Sequence, residues 1–183
     1  MRVNRREMCS EFFQKDFLQQ PGKKLRCRRY RSARKMEKAM KRVYIASDHA
    51  GFALKEYLVE YLTANGHEVK DLGPSEPSSC DYPVSAFAVT DSLALDADAY
   101  GILICGTGIG MSMAANRVPG MRAALCTCEF HARACREHNN ANILCLGERV
   151  TGKGVACDIV DIFLSTDFAG GRHERRVNLF DKR

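Results

Sequence analysis

The chain has 183 residues, of which 45% are hydrophobic and 27% charged. That suits one soluble globular domain with some excess length. No apolar run reaches the roughly 18 residues a membrane helix needs, and the longest, Gly101 to Ala115, is interrupted by four glycines.

The net charge of +6 conceals a division. Residues 1–42 carry 15 Lys and Arg against 4 Asp and Glu, whereas residues 43–183 carry 13 against 18. The basic balance therefore belongs to a leader and is poor evidence for nucleic-acid binding by the body. Residues 1–41 are read as a basic N-terminal extension, and residues 42–183 as the functional domain. The leader fits a disordered tail, an organelle transit segment, or a stretch upstream of an alternative start at Met40. It lacks the apolar core of a secretory signal, so a reduced cytoplasmic compartment is expected, with organelle targeting left open.

From residue 42 the pattern is regular. Val43-Tyr44-Ile45-Ala46-Ser47 is a short apolar run, read as a buried strand. Leu54, Leu58, Tyr61 and Leu62 recur at helical spacing over Phe52 to Asn65, and Gly66 is a natural stop. Glu68 to Leu72 reads as a second strand, followed by a Gly, Pro and Ser loop and a helix over 84–95. Gly101-Ile102-Leu103-Ile104-Cys105 is the clearest strand, leading into a glycine turn and a helix near 110–117. Arg122 to Cys126 is a fourth strand, 129–138 a helix, Asn142 to Gly147 a fifth strand and 153–165 a helix. The tail from Gly170 is short, charged and partly helical.

Continuous apolar strands alternating with helices argue for a doubly wound α/β fold. It has a mainly parallel five-stranded sheet with helices on both faces, a Rossmann-like three-layer sandwich. Ligands of such sheets bind at the carboxyl ends of the strands. That rule selects Asp48-His49, the loop after the second strand, Cys105 to Gly110, and the stretch around His138-Asn139.

The glycine turn has the spacing G-x-G-x-G, not G-x-G-x-x-G, and no acidic residue stands where a dinucleotide fingerprint needs one. A strand, a flexible turn and a helix start can gather backbone N–H groups at one spot. Such a spot holds a phosphate or an oxyanion formed during reaction. Cys105 at its mouth is either a core thiol or a reactive one, since a helix N-terminus can favour the thiolate. Thr107 is placed to hydrogen-bond it. Asp48 is an N-cap or a site carboxylate. His138 is a helix-end residue or a general acid-base. Arg172, His173, Arg175 and Arg176 are a solvated tail or a phosphate clamp. The nine cysteines hold a C-x-C pair, Cys126 and Cys128, with no second pair at zinc spacing.

Several stretches, in this order, resemble type B ribose-5-phosphate isomerases. They are Ser47-Asp48-His49-Ala50-Gly51-Phe52-Ala53-Leu54-Lys55, Asp81-Tyr82-Pro83, Gly101 to Ser112, Ala114-Ala115-Asn116-Arg117, His138-Asn139-Asn140-Ala141-Asn142 and Gly171-Arg172-His173. The resemblance spans residues 42–183. It implies interconversion of ribose 5-phosphate and ribulose 5-phosphate with no metal and no organic cofactor. It also implies a homodimer or tetramer with shared active sites, and no nucleic-acid or membrane partner. Carried over by motif, Cys105 would shuttle the proton, Thr107 would orient it, and His138 with Asp48 would assist ring opening. Gly106, Gly108 and Gly110 would hold the enediolate. Tyr82 and Asn139 would contact hydroxyls. His49, Arg149, Arg172, His173 and Arg176 would meet substrate, mainly its phosphate. Another branch of the family has a glutamate base where this chain has Met111. Two rivals stand beside this reading. One is an isomerase for a six-carbon aldose phosphate such as allose or galactose 6-phosphate. The other is a non-catalytic phosphate- or nucleotide-binding module.

Overall fold

The computed structural model describes residues 40–181, so the leader up to residue 39 lies outside the described residues. Five strands form one sheet: β1 (Arg42–Ser47), β2 (Glu68–Asp71), β3 (Tyr100–Cys105), β4 (Ala123–Leu125) and β5 (Ile143–Gly147). Their spatial order is β2-β1-β3-β5-β4 and every neighbouring pair is parallel. The helices are α1 (Phe52–Ala64), α2 (Tyr82–Leu95), α3 (Ile109–Ala115), α4 (Glu129–Asn139), α5 (Lys153–Ser165) and α6 (Arg172–Asp181). Each of the five strands expected from sequence is present. The expected 84–95 helix starts two residues earlier, at Tyr82, with Pro83 in its first turn. The tail is one continuous helix, α6.

Alternation along the strands divides the core into two layers. Val43, Ile45, Ile102, Ile104, Leu144 and Leu146 face α1, α4 and α5. Ala46, Leu103, Cys105, Ile143 and Cys145 face α2 and α3. No helix of the described residues is long and apolar enough to cross a membrane.

Two buried cations fasten the helices of the first layer to strand ends and loops. Lys55 of α1 has no exposure, and its Nζ bonds the Asp71 carboxylate and the Pro74 carbonyl, which holds the loop after β2 against α1. Arg136 of α4 is 5% exposed. Its guanidinium donates to the carbonyls of Thr166 and Ala141, to Asn140 Oδ1 at 3.0 Å and to the Tyr100 hydroxyl at 3.2 Å. It also lies over the Tyr100 and Phe163 rings, 5.0 and 5.7 Å from their centroids. Arg136 therefore joins the end of α4, the entry to β5, the end of α5 and the start of β3. Truncating it would orphan buried acceptors, each worth about 1–3 kcal/mol. Arg136→Ala is expected to lower the unfolding free energy by about 3 kcal/mol in urea melts; a loss below about 1 kcal/mol would contradict this role.

Candidate active site

Three strand ends meet where the strand order reverses, the crevice in which doubly wound sheets bind ligands. Ser47 of β1 pairs with Ile104 of β3, and Cys105 of β3 pairs with Gly147 of β5. Backbone bonds knit the loops beyond them. Asp48 N–H donates to the Ile104 carbonyl at 3.1 Å, Glu148 N–H to Cys105 at 2.9 Å, and Arg149 N–H to Gly106 at 3.1 Å. Two glycines make this closeness possible. A Cβ on Gly51 would stand 2.6 Å from the Ile104 carbonyl oxygen, and one on Gly147 would stand 2.6 Å from the Thr107 carbonyl carbon.

Cys105 ends β3 and is 5% exposed, with its sulfur accepting the Gly108 N–H at 3.0 Å. Gly108 itself adopts the left-handed region, with φ of 78°, which turns the chain from this bond into α3. The Thr107 hydroxyl makes a local turn bond, its oxygen accepting the Ile109 N–H at 3.3 Å two residues on. Tyr82 and Arg149 both reach the glycine turn. A Cβ on Gly110 would stand 2.9 Å from the Tyr82 ring, and one on Gly106 would stand 3.4 Å from Arg149 Nε.

Asp48 has the N-cap geometry. Its Oδ1 accepts from Ala50 N–H at 2.9 Å and Gly51 N–H at 3.0 Å, closing a single 3₁₀ turn over His49–Gly51. The carboxyl group is also at the crevice, so capping and a site role are compatible. His49 is exposed, and its Nδ1 lies 3.4 Å from the Cys80 amide nitrogen, tying this turn to the loop that leads into α2.

His138 and Asn139 are on the other edge of the sheet, which corrects their expected place at a carboxyl strand end. They close α4, and a helix returning from a parallel strand ends beside the next strand's start. Asn142, just beyond, accepts the N–H of Gly101 at the beginning of β3. Roughly 15 Å of strand separates the two edges. His138 is therefore not beside Asp48 or Cys105 within one chain. It stacks instead on His173 of α6, with ring centroids 4.4 Å apart and planes 11° apart. Arg172 and Arg176 flank this pair on the first turns of α6. A cavity of about 640 Å³ opens at the same edge, with Asn139, Arg117, Arg122 and Phe180 among its walls. The fourteen candidate residues thus form two groups. Asp48, His49, Tyr82, Gly106, Thr107, Gly108, Gly110 and Arg149 surround Cys105, while His138, Asn139, Arg172, His173 and Arg176 gather at the amino edge.

One residue with no expected role supports the crevice. Glu148, just past β5, accepts the Leu54 N–H at 2.9 Å through Oε2, placing a carboxylate on the first turn of α1. Its partner is 94 positions away, so no local pattern announces it.

The chain belongs to the ribose/galactose isomerase family, which matches residues 43–180. Ribose-5-phosphate isomerase B of Escherichia coli K12 is 43% identical over 138 residues, covering 75% of this chain and 93% of the relative. A ribose 5-phosphate isomerase structure from Thermotoga maritima has a TM-score of 0.77 at 52% identity, covering 78% of this chain and 99% of that one. The type B ribose 5-phosphate isomerase structure of Trypanosoma brucei has a TM-score of 0.73 at 42% identity, covering 78% and 98%.

Desolvation first, then the His138, Arg172 and Arg176 charges, hold the His173 imidazole below its ordinary value, against a smaller opposing pull from Glu137. A depressed histidine binds its proton less readily folded than unfolded. Its contribution to stability is present above the ordinary histidine value and is lost as pH falls through that range. NMR titration should find His173 titrating below 6.5, and moving upward in His138→Ala; a value at or above 6.5 in the parent protein would contradict the stacked, cation-flanked geometry.

Proposed function

We propose that the chain interconverts ribose 5-phosphate and ribulose 5-phosphate through an enediolate, with Cys105 as the base. The observation that carries this reading is the buried Cys105 sulfur held by a glycine turn at the reversal point of the sheet. Isomerisation needs one base near two adjacent carbons and fixed dipoles for the anion between them. Cys105 removes the proton from C2 of the open-chain aldose and returns it to C1. The amides of Gly106 to Gly110 hold the charge that develops on oxygen. The Met111 side chain is buried and has no proton to exchange, so the glycine turn brings no second base. Relatives named ribose-5-phosphate isomerase B, at 43–46% identity, support the five-carbon substrate.

The site is completed, in this proposal, by a second copy of the chain. His138, Asn139, Arg172, His173 and Arg176 occupy the edge opposite Cys105, so a partner's amino edge must cover this chain's crevice. His138 then assists ring opening with the partner's crevice carboxylate nearby. The arginines and His173 take the phosphate with His49 and Arg149. Thr107 acts through its turn bond to Ile109, shaping the loop that carries the Cys105 partner Gly108. No metal or organic cofactor enters this scheme. A reducing cytoplasmic setting suits the seven free cysteines of the described residues.

Because the family's description includes galactose isomerases, a six-carbon aldose phosphate is the second reading. Comparing turnover of ribose 5-phosphate with allose and galactose 6-phosphates decides between them. Cys105→Ala and Cys105→Ser are expected to lose at least about 10²-fold in turnover of ribose 5-phosphate while keeping the parent melting temperature and oligomeric state. Near-parental turnover by Cys105→Ala would overturn the assignment of the base.

A further inference from the structure

Two thiols outside the proposed catalytic centre stand next to one another. Cys126 follows β4 and has no exposure, and Cys135 lies on α4; their sulfurs are 3.9 Å apart. A disulfide has a sulfur–sulfur distance of about 2.05 Å, so closing the pair requires a local movement of roughly 2 Å.

The two sulfurs differ in access. Cys135 is half-buried and lines the cavity of about 640 Å³ at the amino edge, where a small solute can approach it. Cys126 is sealed behind it. They also differ in charge preference. The hydrogen bond from Cys126 and the neighbouring Arg136 charge pull the Cys135 thiol down, against its partial burial. The same bond, then burial, pushes the Cys126 thiol up. A cavity-facing thiol that loses its proton more readily, with a sealed thiol 3.9 Å behind it, is the arrangement of an attacking and a resolving cysteine.

We propose that Cys126 and Cys135 are an oxidation site for hydrogen peroxide, giving a disulfide that staples α4 to the end of β4. The Cys135 thiolate attacks one peroxide oxygen, the O–O bond breaks, and hydroxide leaves to take up a proton as water. Cys135 is then a sulfenic acid. The Cys126 sulfur attacks the Cys135 sulfur, the S–O bond breaks, and a second water leaves with the Cys126 proton. Two thiols are oxidised by two electrons and one peroxide is reduced to two waters. Cys128, the other half of the C-x-C pair, is the rival partner for Cys126.

The test is non-reducing peptide mapping of the full-length protein after peroxide exposure, catalase quenching and alkylation of the remaining thiols. The expected result is a Cys126–Cys135 linked peptide lacking two hydrogens and reversed by dithiothreitol. In Cys126→Ser, dimedone should trap Cys135 as the sulfenic acid. In Cys135→Ser, Cys126 should remain a reduced thiol, alkylated once the protein is denatured. Alkylation of both thiols in wild type under conditions that oxidise Cys105 would overturn the proposal, as would a Cys126–Cys128 bridge. The wild-type map decides the matter even if either serine variant fails to fold.

Discussion

Five strands running in one direction place every carboxyl strand end on one edge of the sheet and every returning helix end on the other. The crevice depends on that polarity. Cys105 is at the carboxyl edge because it closes β3, and β5 is inserted between β3 and β4 so that Gly147 stands beside it. The loops beyond β1, β3 and β5 can then bond each other through their backbones. The same polarity sends His138, at the end of α4, to the far edge. The His138–His173 stack and its two arginines form a surface suited to an anion, far from the Cys105 thiol. The Cys105 crevice holds the proposed base, with Arg149 beside its glycine turn. Each half lacks what the other holds, and this complementarity motivates the proposed two-copy site.

Close backbone approach is what makes the crevice compact. At Gly51 and Gly147 a side chain would run into the neighbouring loop's main chain. At Gly108 the positive φ and the contact with the Leu146 carbonyl both exclude a side chain. The sulfur–amide bond of Cys105 follows from this nesting. Beneath it, Lys55 and Glu148 fasten α1 to the β2 and β5 loops, and Arg136 fastens α4 to the opposite edge. The helix that carries His138 is thus anchored independently of the loop that carries Cys105. A disulfide between Cys126 and Cys135 would add a covalent link to the first of these anchors.

Much of this was readable in the chain because it is local. Buried parallel strands are continuous apolar runs, and β1, β3 and β5 stood out as such, whereas the edge strand β2 is charged and mostly exposed. The glycine turn after Ile102-Leu103-Ile104-Cys105 marked the strand end and its thiol together. Strand order was not readable, since nothing near Ile143 to Gly147 says that β5 inserts beside β3. Nor were the long-range bonds of Arg136 to Thr166 and Tyr100 or of Glu148 to Leu54. The misplaced residues, His138 and Asn139, show why. They close a helix and not a strand, and a helix that returns across a parallel sheet finishes at the opposite edge. The family resemblance implied shared active sites, but not which residues stand at which edge of one chain; the parallel topology supplies that division.

Subunit mixing tests the proposed shared site most directly. Cys105→Ala and His138→Ala would each be inactive alone, because each removes one half from every site. After co-refolding, a mixed dimer carries both lesions in one site and none in the other. Random pairing should restore roughly a quarter of parental ribose-5-phosphate isomerase activity. Mixtures that stay as inactive as the separate variants, with mixed dimers demonstrated by mass, would contradict a site built from two copies.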